Sequence, residues 1–399
     1  MSPRRRARPL LFGSLALTAA VTLSGCIATT PTETGTPAAT PTTSAGPAIA
    51  EGPEPRIGAD CDDIVDAAAL QEFLGVIVTP LAPEAPADLL GPDTAAVVQL
   101  GALSCTWTNG LPHNPYPNDE PDRQLVRLSI LPEGLDQAVA YVDTYDSRDP
   151  TYGEGVQGPR CLGPMEGVNT GYCELFGVIG QTWVELVVEG VVVDADTTAE
   201  DLVEGFRTVF DPMVSTLETT TALERWSPAT PSSNIPVDCD VLTPTAEIAA
   251  VTAVPELRVG PQWDGPRVGQ YWYGLNTTGA ARCSLAIATS DASLGQIGIL
   301  PSGAWGFSRF AESWLVSGGT SVTLPEVDGA EAIARCDDAV SDCVIDFAVA
   351  GDWGRVTVYP QSPAGVDAGR PAGSIDSARA AAVDIAAIVA RHMAVTSWR

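Results

Sequence analysis

The stretch Asp60-Cys61-Asp62-Asp63-Ile64, followed by Ser104-Cys105-Thr106-Trp107-Thr108, returns later in the chain as Asp238-Cys239-Asp240-Val241-Leu242 and then Cys283-Ser284-Leu285. The interval from first to second cysteine is 44 residues both times. Other features repeat in the same order: Gly101-Ala102 and Gly279-Ala280 before the second cysteine, then Ile130-Leu131-Pro132 and Ile299-Leu300-Pro301. Cys173 precedes Trp183 by the same interval as Cys343 precedes Trp353. So many coincidences in one register identify a tandem duplication. Two repeats are too few and too long for a solenoid, so each is expected to be a domain with its own core.

Working outward, the chain divides into residues 1–25, 26–56, 57–219, 220–234 and 235–399. These read as a signal peptide, a lipidated cysteine with its tether, the first repeat, a polar linker and the second repeat. Within each repeat the order is a short helix after the first cysteine, strands, a helix, Val-rich strands and a closing helix. The strands include 103–108, 125–131 and 182–193 in the first repeat, and 282–288, 295–300 and 353–359 in the second. The expected fold class is α+β, with an antiparallel sheet, packed helices and two disulfides in each domain. Thr197-Thr198-Ala199-Glu200-Asp201 offers a capping box for the first closing helix.

The N-terminal segment carries an address. Arg4, Arg5, Arg6 and Arg8 precede an apolar run ending in Leu23-Ser24-Gly25-Cys26. That run is short for a membrane span, and the pattern is that of a lipoprotein signal in which the Cys26 thiol carries the lipid. Residues 27–56 are rich in Thr, Pro, Ala and Gly and bury too little to offset backbone ordering, which predicts a disordered tether. The expected location is the cell membrane, lipid-anchored, with the folded part on the extracytoplasmic side.

Of nine cysteines, the lipid takes Cys26 and eight remain. An oxidising compartment lets them pair. The favoured pairing is first with second and third with fourth in each repeat: Cys61 with Cys105, Cys161 with Cys173, Cys239 with Cys283, and Cys336 with Cys343. Zinc needs closely grouped thiolates, which this spacing does not supply.

Composition excludes several functions. There are 50 acidic residues against 21 basic ones, and every basic residue is Arg. Loss of residues 1–25, which hold four Arg and no acid, moves the net charge from −29 to −33. A nucleic-acid partner is not expected, because counterion release needs a basic face. Lysine-dependent chemistry is absent. Only two histidines occur, His113 in a Pro-rich loop and His392 near the C-terminus, and neither repeats. No hydrolase, metalloprotease or dinucleotide motif occurs. Asp194 and Asp196 with Glu200 and Asp201 lack the Gly and Glu that a calcium loop requires, and helix capping accounts for them. No catalytic residue, metal or cofactor is expected.

Trp183 and Trp353 repeat in register and read as core. The run Tyr271-Trp272-Tyr273 has no counterpart in the first repeat. Read as an alternating strand, it would turn aromatic side chains to both faces; extra core filling under a second layer is the first reading, and if either domain has a ligand groove, Tyr271, Trp272 and Tyr273 are its candidates.

The Cys-opened helix and the Cys-x-Trp strand (Asp60-Cys61-Asp62-Asp63-Ile64 with Cys105-Thr106-Trp107, and Asp238 to Pro244 in the second repeat) resemble a domain of unknown function from secreted actinobacterial lipoproteins. Cys283-Ser284-Leu285 departs from that pattern, with Leu where Trp is expected. The repeats also resemble the disulfide-bonded extracellular sensor domains of mycobacterial receptor kinases. Both resemblances imply a non-catalytic, wall-facing ligand-binding or sensor module, whose partners would be the membrane, through its lipid, and an envelope ligand or protein. A protein-interaction or envelope scaffold is the first alternative, and a hydrolase of unrecognised class the second.

Overall fold

The computed structural model describes residues 52–81, 91–110, 123–144, 149, 151–152, 155–163, 170–194, 196–227, 238–252, 254, 256–261, 269–288, 293–337, 342–359 and 375–395. Cys26 and His113 lie outside them. The described residues belong to one compact unit.

The first repeat contains α1 (Cys61–Ile64), α2 (Ala67–Leu74), β1 (Thr79–Pro80), α3 (Ala95–Gln99), β2 (Leu103–Thr108), β3 (Leu125–Leu131) and α4 (Leu135–Thr144). It continues with β4 (Val156–Leu162), β5 (Thr170–Ile179), β6 (Thr182–Val192) and α5 (Ala199–Thr219). The second contains α6 (Cys239–Leu242), α7 (Thr245–Thr252), β7 (Leu257–Pro261), α8 (Gln270–Thr278), β8 (Ala281–Ile287) and β9 (Ser293–Leu300). It ends with α9 (Ala304–Val316), β10 (Thr320–Ser321), β11 (Glu331–Asp337), β12 (Asp342–Val349), β13 (Asp352–Val358) and α10 (Ile375–Met393).

The strand order is β1-β2-β3-β6-β5-β4 in the first sheet and β7-β8-β9-β13-β12-β11-β10 in the second. All described pairings are antiparallel. The register repeats residue by residue. Cys105 lies opposite Leu128 and Cys283 opposite Ile297, and Leu131 lies opposite Trp183 as Leu300 does opposite Trp353. The fold is α+β, with two helix-packed antiparallel sheets.

The cysteines fall at bonding distance in the expected pairs. Cys161 and Cys173 are cross-strand neighbours on β4 and β5, with Cα atoms 4.1 Å apart, and Cys336 and Cys343 are the same on β11 and β12 at 4.0 Å. Cys61–Cys105 and Cys239–Cys283 join the opening helices to β2 and β8, with Cα separations of 5.8 and 5.7 Å.

One face of each sheet packs against its closing helix. Phe206, Phe210, Met213 and Leu217 of α5 meet Leu175, Leu186 and Val188, while Ile385, Ile388 and Met393 of α10 meet Ile297, Ile345 and Phe347. The capping box forms as expected: Asp201 N–H donates to Thr198 Oγ1 at 3.2 Å, and Thr198 N–H to Asp201 Oδ2 at 3.0 Å. The short helix expected after the first cysteine is instead two. Val65 and Asp66 are extended, and the Asp66 carboxylate accepts from Ala68 N–H at 2.8 Å, capping α2.

The second face of each sheet is only partly covered by its own helix, α4 or α9. The rest is covered from the other repeat. Ala95 and Ala96 of α3 join a buried cluster with Leu275, Trp305, Phe310, Trp314 and Trp353. Tyr273 of α8 packs on a cluster of Val97, Leu100, Leu131, Ala138 and Trp183. Each repeat thus has a large core of its own, and two smaller clusters are shared. The linker takes part: Ala222 bridges to Ile57, and Trp226 packs against the shared cluster of the second repeat.

A candidate functional site at the joint between the repeats

Tyr271, Trp272 and Tyr273 do not lie on a strand. They form the first turn of α8, which Gly269 (φ 92°) precedes and Gly279 (φ 72°) ends. A helix cannot turn three consecutive aromatics to two alternating faces, and the alternation argument made from sequence falls with it. The side chains fan around the helix: Tyr271 and Trp272 pack against one shared cluster and Tyr273 against the other.

Tyr271 donates its phenol hydrogen to Asp93 Oδ2 at 3.0 Å, and Arg282 Nη1 reaches the same oxygen at 2.9 Å. Arg282 Nη2 also bonds Gln296 Oε1 at 2.6 Å. Burial, and then the Asp93 charge, push the Tyr271 phenol well above its usual value, so it is held as a donor. Burial would lower the Arg282 pKa, but Asp93 and Tyr271 outweigh it and the net direction is upward. Trp272 packs partly buried against the shared cluster, with its ring edge-on to Tyr271. Tyr273 lies against Trp183, and a Cβ on Gly134 would come within 3.0 Å of its ring. Gly134 must therefore stay small for α8 to seat.

Gln270 opens the helix and is buried. Its side chain donates to Trp183 O at 2.8 Å and Ser129 O at 3.2 Å, and accepts from Ser129 Oγ at 2.6 Å. Its backbone N–H donates to Glu185 Oε1 at 2.8 Å. Burial raises the Glu185 pKa to about 7, and the Gln270 amide opposes that rise.

On the second sheet, the fully buried Asp346 receives Arg335 Nη2 at 2.9 Å, Arg355 Nε at 2.8 Å and Trp353 Nε1 at 3.0 Å. Both guanidinium groups also lie over the Trp314 ring. This cluster binds β11, β12 and β13 to α9. Both Asp346 oxygens are occupied by these donors, an arrangement that specifies packing.

The other sequence candidates are placed as follows. Trp183 and Trp353 are buried core residues. His392 lies in the last turn of α10, with Nε2 3.4 Å from Glu247 Oε1. Asp201 is the capping partner of Thr198. Among the described residues no group of three or more His, Cys, Asp or Glu side chains could hold a metal ion, and no helix is long and apolar enough to cross a membrane. Clefts open on the surface elsewhere among the described residues. One, of about 490 Å³, is lined by Asp62, Asp63, Asp66, Pro80, Pro212 and Thr216. Another, of about 390 Å³, includes Glu247, Val251, Pro325, Glu326, Ile388 and Arg391. Each lies between the first helices of a repeat and its closing helix, away from Tyr271–Tyr273.

Sequence reasoning missed Asp93, Gln270, Glu185 and Arg282. One signal was available, because Asp93 and Tyr271 stand in the same register, at equal distance before Cys105 and Cys283.

No family model and no curated protein matches the chain. Among solved structures, a thioesterase-type protein of Novosphingobium aromaticivorans aligns with 78% of this chain and 94% of its own, at 12% identity and a TM-score of 0.10. A score at that level carries no argument about fold or activity.

Proposed function

We propose that this chain is an extracytoplasmic lipoprotein, anchored to the cell membrane through a lipid on Cys26, whose folded part is a non-catalytic ligand-binding or sensor module of the cell envelope. The observation that carries the reading is the conjunction of Leu23-Ser24-Gly25-Cys26 with eight further cysteines, all placed in pairs. Disulfides belong to an oxidising compartment, and the lipid-bearing thiol accounts for the ninth.

One observation favours the scaffold reading over a small-molecule pocket at Tyr271–Tyr273. Tyr271 is hydrogen-bonded to Asp93, and Tyr273 packs against Trp183 with its ring tilted. These side chains are engaged in joining the repeats. Binding is then assigned to the outer surface, where the two clefts are open and partly acidic, a form suited to an extended partner more than to an enclosed small molecule.

The anchor is tested by detergent-phase partitioning and by the mass of the N-terminal peptide after expression in a lipoprotein-processing host. The reading expects a diacylglyceryl-modified Cys26, and a Cys26→Ala chain that partitions to the aqueous phase. Equal partitioning of the two chains contradicts it. The binding role is tested by thermal-shift measurements against fractionated envelope polymers and lipids. Turnover of a substrate by the folded part would replace this reading with the hydrolase alternative.

A further inference from the structure

We propose that residues 52–57 form a strap that holds the joint between the repeats closed, with Glu133 as its fixed point. Composition places these residues at the end of the tether and the start of the first repeat, yet they touch both repeats and the linker. At Gly52 an added Cβ would lie 3.1 Å from Trp305 Cε3, so the backbone runs directly over α9 of the second repeat. Pro53 is buried. Arg56 N–H donates to Gly101 O at 2.8 Å, just after α3 of the first repeat. Arg56 O accepts from Leu223 N–H at 2.7 Å, and Arg56 Nε donates to Leu223 O at 3.1 Å, which ties in the linker. Ile57 is buried and bridges Ala222.

The Arg56 guanidinium bonds Glu133 Oε2, with both side chains largely buried. Arg225 from the linker stands 3.8 Å from Glu133 Oε1. Glu133 adjoins Gly134, the residue on which Tyr273 rests. Its negative charge, after burial, is the next cause that raises the Tyr273 pKa. One carboxylate therefore faces the strap, the linker and α8. Gly101 completes the fit: its φ is 83°, and a Cβ there would lie 2.4 Å from Arg56 Cγ.

The ion pair that fixes the strap is not repeated in sequence: Arg56 corresponds to Asn234. In the shared register Glu133 corresponds to Ser302, so the second repeat lacks the acid that fixes Arg56. The joint is nearly symmetric, and the Arg56–Glu133 pair departs from that symmetry. On the lipoprotein reading, residues 26–51 connect the strap to the membrane, so displacement of the strap by load or by a partner at the tether would loosen α3 and α8. The connection to the membrane rests on that reading, while the strap itself does not.

The test is hydrogen exchange followed by mass spectrometry on the full chain, comparing peptides that cover 95–102 and 270–279 with peptides from α5 and α10. Arg56→Ala and Glu133→Gln should each speed exchange in both joint peptides by about tenfold, the effect of losing one charge-assisted bond, with α5 and α10 unchanged. Arg56→Lys, which keeps the charge and loses the Nε bond to Leu223 O, should give a smaller change and guards against a variant that fails to fold. Unchanged exchange in the joint peptides would overturn the proposal, as would equal acceleration in all four regions. Repeating the set in a Cys26→Ala chain separates the two readings: the strap predicts the same pattern whether or not the lipid is present.

Discussion

Asp93 and Tyr271 stand twelve residues before the second cysteine of their own repeats, and they are bonded to each other, Tyr271 Oη to Asp93 Oδ2 at 3.0 Å. Equivalent positions meet in this way where a molecule has local two-fold character. The neighbours agree. Gly91 and Gly269 are equivalent; Gly91 lies against Arg355 and Gly269 against Glu185, and Arg355 and Glu185 are themselves equivalent through Trp353 and Trp183. The duplication is thus present in the packing of the joint as well as in the spacing of the cysteines. Because Tyr271 stands where the first repeat has Asp93, and Arg355 where it has Glu185, the two halves have diverged in chemistry while keeping one geometry.

Glu185 gives the joint a pH dependence. Its folded-state pKa is raised to about 7 from 4.5, chiefly by burial. The folded protein therefore holds this proton more tightly than the unfolded chain. The contribution is fully present below about pH 4.5 and is lost as pH rises toward 7. Arg127 on the neighbouring strand is paired with Glu189. Relative to wild type, Glu185→Gln should flatten the urea midpoint between pH 5 and 7.5 and gain at most about 3 kcal/mol at pH 8. Parallel midpoint curves for the two proteins would contradict the assignment.

The disulfides should differ in worth. Replacing Cys61 and Cys105 together by Ala opens a 44-residue loop and should cost about 4 kcal/mol in the chain-entropy account. Replacing Cys336 and Cys343 opens a 7-residue loop and should cost about 2 kcal/mol. Denaturant titration of the two variants measures the difference, and a larger loss from the short loop would reverse the expected order.

Asp346 is the acid on which two guanidinium groups converge. Asp346→Ala strands Arg335 and Arg355 beside Trp314 and should cost about 3–5 kcal/mol, the scale for breaking a buried ion pair from one side. Asp346→Asn keeps an acceptor for Trp353 Nε1 and should cost less. Chemical denaturation distinguishes the two, and equal, small losses would show that the cluster is neutral to stability.

Much of the fold was legible because the informative residues repeat within the chain. Leu125–Leu131 shows as a strand from its apolar pattern alone, and the cysteine intervals fix which elements meet. The helix α8 was not legible. Tyr271-Trp272-Tyr273 has the composition of a buried strand, and what holds it as a helix is contact with α3 and Trp183, residues distant in sequence. The bounding glycines, Gly269 and Gly279, were the local hint. The site was hidden for a related reason. Asp93 lies 178 residues from Tyr271 and 189 from Arg282, and neither pairing leaves a trace in local pattern. Residues 52–57 were assigned by composition to the tether and the repeat boundary, although Arg56 and Ile57 mark where the chain joins the fold.

The central claim is that the repeats are joined through α8 and the segment before α3, and the most direct test is a double-mutant cycle on Asp93 and Tyr271. Asp93→Ala, Tyr271→Phe and the double variant are compared with wild type by denaturant unfolding, with the disulfides intact. The account predicts a coupling energy of about 1 kcal/mol, since each single change removes the same bond. Strictly additive losses, with coupling indistinguishable from zero, would mean that Asp93 and Tyr271 do not meet and that the repeats are not joined as described.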